Sequence, residues 1–131
     1  MQIPTGISKK EVYIRRAIIV ERLASLIGTS VPCKAFGNKK VKFLFDSIDE
    51  TATRAAKRYE FTLAALQVVK ALKNATIVKE DIPHSSKQRK MRFSKVYILN
   101  SFLNRIGEVK ILVGETKNGL IIHYCITKKQ E

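Results

Sequence analysis

The sequence is short of acid, of histidine and cysteine, and of long apolar runs. Each shortage removes a class of function. Only 11 of its 131 residues are Asp or Glu. Those of interest, Asp46, Asp49, Glu50, Glu80 and Asp81, read as helix caps and turn residues rather than as a cluster of carboxylates. Two cysteines (Cys33, Cys125) and two histidines (His84, His123) do not fall into a metal-binding spacing such as C-x-x-C or H-x-x-x-H, so no structural zinc and no cofactor is expected. The apolar patch 17–20 is broken at once by Glu21 and Arg22, far short of the roughly 18 residues that a membrane span requires. The opening "MQIPTGISKK" lacks the apolar core of a signal peptide. No internal repeat or low-complexity segment is visible.

What is abundant is positive charge. Against its 11 acids the chain sets 25 Lys and Arg, for a formal charge of +14. Such an excess repels itself in the compact state unless an anionic partner is met, and nucleic acid is the first candidate, ahead of an anionic membrane or an acidic protein. The length and a 45% hydrophobic content suit a single domain over 1–131 with one core.

Segment 8–27 reads as an amphipathic helix. Ser8 is its N-cap and Gly28 its C′ residue, Val12, Ala17, Ile19, Leu23, Leu26 and Ile27 form the apolar stripe, and Lys9, Lys10, Arg15, Arg16 and Arg22 take the remaining positions. "VPCKAF" and "VKFLF" flank a Gly37–Asn38 turn signal and predict a small hairpin or two edge strands, with Val41, Phe43 and Phe45 on one side. "SIDE", 47–50, has the form of a capping box led by Ser47 and closed by Glu50. A helix to about residue 73 follows, with a break near Tyr59–Glu60. From residue 75 the period becomes two, with strands expected at 75–80, 93–102, 107–115 and 119–127. The chain is thus mainly helical over 1–74 and sheet-forming over 75–127. The fold class is α+β, with N-terminal helices packed on a four-stranded antiparallel β-sheet meander.

Asn118–Gly119 predicts a two-residue hairpin turn. That turn sets Lys117 against Leu120, Gly114 against His123, Val113 against Tyr124, Leu112 against Cys125, Ile111 against Ile126 and Lys110 against Thr127. Val109, Ile111, Val113, Ile122, Tyr124 and Ile126 then share the core side, while His123 lies on the polar side next to the gap left by Gly114. On the plainer reading His123 and Thr127 are ordinary strand residues and Cys125 is a small buried hydrophobe rather than a nucleophile. The run 84–95, "HSSKQRKMRFSK", carries Lys87, Arg89, Lys90, Arg92 and Lys95 with no acid, and contains the second histidine, His84. It is either a solvated connector or a basic loop that holds phosphates near His123.

Across residues 40–127, the succession "FDSIDE", "ALKNATIV", a basic gap and "VKILVGETKNGLIIHYCIT" resembles the barnase, EndoU, colicin and RelE-like nuclease superfamily, especially its phage and polymorphic-toxin branches and the related large polyvalent protein-associated domains. The resemblance implies helices on a four-stranded antiparallel sheet and a metal-independent ribonuclease on the sheet's open face. EndoU-like members use two histidines, a lysine and a hydroxyl residue, which implies roles for His123, Thr127, Lys110 and His84. His84 departs from the pattern by falling in a loop. RelE-like relatives use Arg, Lys and Tyr instead, and some related domains are inactive.

Cleavage of RNA by its own 2′-hydroxyl needs a base, an acid and a cation for the charged phosphorane, but no metal. Imidazole suits either proton role, and Lys110, Arg89 or Arg92 would supply the cation. The expectation is therefore an endoribonuclease, a bacterial or phage-associated toxin module acting on RNA in the cytoplasm, with an acidic immunity or antitoxin protein as partner. The alternatives are a non-catalytic RNA- or DNA-binding module using the same basic face, and an interaction domain of a larger phage protein.

Overall fold

A computed structural model describes residues 2–37 and 39–129. The elements run α1 (Lys9–Leu23), β1 (Ser30–Pro32), β2 (Lys40–Lys42), α2 (Phe45–Ala55), α3 (Tyr59–Ala65), α4 (Val68–Lys73), β3 (Thr76–Asp81), α5 (Ser86–Lys90), β4 (Phe93–Leu103), β5 (Gly107–Thr116) and β6 (Ile121–Lys128). The fold is α+β. Its sheet has six strands in the order β1-β2-β6-β5-β4-β3, not four. The expected antiparallel meander is present as β3 to β6. The small hairpin β1–β2 extends it, because β2 pairs in parallel with the start of β6 through Val41–Ile121 and Lys42–Ile122. Of the turn signal between those two strands, Asn38 lies outside the described residues.

Helices α1, α2 and α5 begin where a serine hydroxyl meets an orphan backbone donor. The Ser8 hydroxyl accepts from the Glu11 N–H at 3.2 Å, as the sequence predicts. The Ser47 box is different: α2 starts three residues earlier than a Ser47 cap would set it, at Phe45, so Ser47 lies inside the first turn and its hydroxyl accepts from the Leu44 N–H at 3.0 Å. Glu50, freed from capping, pairs with Arg54 one turn on. Phe45 is consequently a 66% exposed first helical residue rather than a strand residue on the side of Val41 and Phe43.

The break after α2 has a chemical cause. Arg15, expected on the charged side of α1, is fully buried. Its Nε donates to Ala56 O at 2.8 Å, and other guanidinium N–H groups donate to Lys57 O, Pro4 O and Gly6 O at 3.4, 2.9 and 2.6 Å. A guanidinium suits the carbonyl-rich, partially negative end of a helix. The Thr62 hydroxyl donates to Ala55 O at 2.9 Å, so the last carbonyls of α2 are satisfied without further helix.

The main core lies between the helices and one side of the sheet. It joins Ile19, Leu23, Phe43, Ile48, Val68 and Leu72 to Leu99, Leu103, Val109, Ile111, Val113, Ile121 and Ile126. α2 also lies along the edge of β6 that the short β2 leaves uncovered, where the Thr51 hydroxyl donates to Tyr124 O at 3.3 Å.

Arg15→Met should remove the shared partner of four carbonyls and destabilise the protein by about 2–4 kcal/mol. Arg22→Ala, on the exposed side of the same helix, should change stability by less than about 0.5 kcal/mol. Thermal or urea melts of the pair would check this, and equal melting of both variants would contradict it.

Candidate nucleic-acid interface

The hairpin β5–β6 decides which side chains face outward. Glu115 pairs with Ile121, and the Thr116 N–H donates to Leu120 O at 3.0 Å, so three residues, Lys117 to Gly119, close the turn, with Gly119 at φ +80°. The expected two-residue turn is thus one residue too short. Near the turn every pair shifts: Val113 faces His123 and Gly114 faces Ile122. Tyr124 is then the extra residue of a bulge, and beyond it the expected pairs return as Leu112–Cys125, Ile111–Ile126 and Lys110–Thr127. The bulge restores the predicted register for half of the strand. The other half is inverted.

His123 therefore points into the main core, with no exposed surface. Its ring centroid lies 5.0 Å from that of Phe43, and Nε2 lies 2.9 Å from the Thr51 hydroxyl. With the Thr51 proton given to the Tyr124 carbonyl, His123 is the Nε2–H tautomer, and Nδ1 is a buried acceptor without a partner. Burial depresses its pKa to about 3. The predicted gap beside it does not exist, because Gly114 faces the other way and the Phe93 ring packs on it so closely that a Cβ would collide.

The outward face of the sheet carries Ile122, Tyr124, Cys125 and Thr127 on β6, Lys110, Leu112 and Gly114 on β5, and Phe93, Val96, Ile98, Asn100 and Phe102 on β4. At the upper end, near the 117–119 turn, α5 and Met91 roof this face. Met91, Phe93, Val96, Ile122, Tyr124 and Cys125 form a second apolar cluster beneath them. The roof is tied to α2 by alternating charges. Arg54 pairs with Glu50, Glu50 with Lys87 at 3.4 Å, Lys87 with Asp49 at 3.0 Å, and Asp49 with Arg16 at 2.6 Å. The Lys87 hydrogen bond holds the Asp49 carboxyl below its ordinary pKa. The Arg54 guanidinium also lies 5.3 Å from the Tyr124 ring centroid, a cation–π distance. Beside it burial pushes the Cys125 thiol up to about 12, which keeps it protonated and unreactive.

The lower half of the face has no such roof. Here Phe102 is 63% exposed, Lys110 is exposed across from Asn100 and Thr127, and Ile98 and Leu112 are half-buried. At this end Phe102 and Glu108 border a groove of about 900 Å³ that continues past Ile106 to Phe61 and Lys128.

The four residues given catalytic roles by resemblance do not meet. Lys110 and Thr127 are neighbours as expected, but His123 is on the opposite side of the sheet. His84 is an exposed rim residue whose Nε2 lies 3.0 Å from Asp81. Asp81 is in register with Val96 and Gly114, four residues up the strand from Lys110, or about 14 Å at the rise of a β-strand. In the basic run, Lys87 is bound to α2 and Lys95 pairs with Glu80 at 2.9 Å. Arg89, Lys90 and Arg92 are exposed cations with no ion pair among the described residues. From the sequence alone Phe102 is only the last residue of the expected strand 93–102. Its signal was the alternation of Leu99, Ser101 and Leu103 toward the core, which leaves Phe102 outside.

No known family, curated protein or solved structure matches this chain. Among the described residues no group of three or more His, Cys, Asp or Glu is placed to hold a metal ion, and no helix is long and apolar enough to cross a membrane.

The burial of His123 sets a pH dependence. The unfolded chain takes up a proton below about pH 6.5 that the folded chain refuses until about pH 3. Stability contributed by this group is therefore lost as pH falls through that window, by up to about 1.4 kcal/mol per unit. His123→Met should lose roughly 3 kcal/mol less than the parent between pH 7 and pH 4. Urea melts across that range test this, and parallel pH profiles would place His123 in contact with water.

Proposed function

We propose that this chain binds single-stranded nucleic acid across the open face of its sheet. The observation that carries the reading is Phe102, an aromatic ring standing 63% exposed on that face, one strand step from Lys110. An unpaired base offers its π-face to such a ring, whereas a duplex hides it. Lys110 and the rim cations Arg89, Lys90 and Arg92 supply the charge that holds phosphates, and the chain's +14 charge draws the strand in. An acidic inhibitor protein would compete for the same face.

Cleavage of RNA by its own 2′-hydroxyl, within a bacterial or phage-associated toxin module acting in the cytoplasm, is the second reading. It is favoured by His84, whose ring is oriented by Asp81, and by the helices-then-meander order that supports kinship with the barnase, EndoU, colicin and RelE-like superfamily. In this reading His84 is the base or acid, and the cations of the neighbouring loop take the phosphorane charge.

Fluorescence anisotropy with a labelled single strand at several salt concentrations tests the binding. Phe102→Ala should weaken it roughly 5- to 100-fold, and Lys110→Ala should lower the log–log salt slope by roughly 0.7. Binding that is unaffected by Phe102→Ala, or equal binding to a duplex of the same sequence, would contradict it. RNA cleavage in the presence of a chelator, lost in His84→Ala, would establish the second reading.

A further inference from the structure

The uncovered end of the sheet also carries the means to choose a base. Phe102 and Glu108 are directly paired across β4 and β5, so their side chains rise together from the outward face. Both border the groove of about 900 Å³ that runs under the β4–β5 turn, with Phe61 and Ile106 as apolar wall and Glu60 at its side. Lys129 reaches the Glu108 carboxylate at 3.5 Å, and its backbone N–H donates to Glu108 O at 2.9 Å. A flat ring, a carboxylate beside it and a lysine next to that carboxylate form a sequence of contacts that matches one nucleotide: base face, base edge and phosphate.

We propose that this groove takes a single unpaired guanine. The inference rests on the single-strand-binding reading and adds a preference to it. A carboxylate only accepts hydrogen bonds. A base lying on Phe102 brings its edge beside Glu108, where guanine alone offers two adjacent donors, N1–H and the N2 amino group, to the two carboxylate oxygens. Adenine and cytosine offer one amino group next to an acceptor nitrogen. Thymine and uracil offer one N–H between two carbonyls, which the carboxylate repels. The groove, at about 900 Å³, has room for a base, and Gly107, at φ +105°, lines it where the chain turns back. The ion pair with Lys129 is exposed on both sides, so its exchange for a base edge and a phosphate costs little.

The test uses single-stranded deoxythymidine oligomers about ten nucleotides long, with the central nucleotide replaced in turn by deoxyguanosine, deoxyadenosine or deoxycytidine. Anisotropy titrations of the whole chain should show about tenfold tighter binding for the guanine-containing strand than for any of the others, the scale of one bidentate base contact. Glu108→Gln should abolish that difference. Equal affinity for all four strands, or a guanine preference that survives Glu108→Gln, would overturn the proposal while leaving single-strand binding in place. Absence of salt-dependent binding to every strand would overturn both.

Discussion

Everything outward-facing in this molecule depends on how β5 and β6 are joined. A three-residue turn with Gly119 in the left-handed region sets one register at the top of the hairpin, and a bulge at Tyr124 returns the strands to another below it. Because side chains alternate along a strand, one residue of slip exchanges the faces. Above the bulge, His123 goes to the core and Ile122 to the roofed cluster. Below it, Ile111 and Ile126 stay in the core while Lys110 and Thr127 stay outside. The Tyr124 carbonyl at the bulge is then met by the Thr51 hydroxyl, which also accepts from His123 Nε2–H, so that one threonine on α2 serves both groups and only His123 Nδ1 is left without a partner.

The same irregularity divides the outward face into two parts with different uses. Above, the bulged Tyr124 and its neighbours Cys125 and Ile122 are apolar and need a cover, which α5 and Met91 provide. The cover is held by ion pairs to α2, so Lys87, one of the residues of the basic run, serves the fold and is not free for phosphate. Below, regular pairing resumes and the face is open, with an aromatic ring, a lysine and short polar side chains in cross-strand contact. That combination suits a flexible anionic polymer with flat, unpaired bases.

Local pattern carried most of the fold. The period-two segments after residue 75 place β3 to β6 within one or two residues, the helix opened by Ser8 is where its cap puts it, and Lys110 with Thr127 come together as the hairpin predicts. What could not be read was set by tertiary contacts. Arg15 is indistinguishable from its charged neighbours until the carbonyls of Ala56 and Lys57 are brought to it. The parallel pairing of β2 with β6 joins residues about eighty apart and has no local signature. The site suffered most, because an Asn–Gly pair is compatible with more than one turn length and a bulge leaves no mark in composition. A single residue of turn length was enough to move His123 from a polar face to the core.

Amide chemical-shift mapping during titration with a single-stranded oligonucleotide tests the central claim most directly, since it reads every residue of the face at once. Perturbations are expected at Phe102, Glu108, Asn100, Lys110, Leu112 and Thr127, with weaker ones at Arg89, Lys90 and Arg92 and at the groove wall around Phe61, and none at His123, Thr51, α1 or α4. Perturbations centred on His123, or confined to α1 and the helical face, would contradict it.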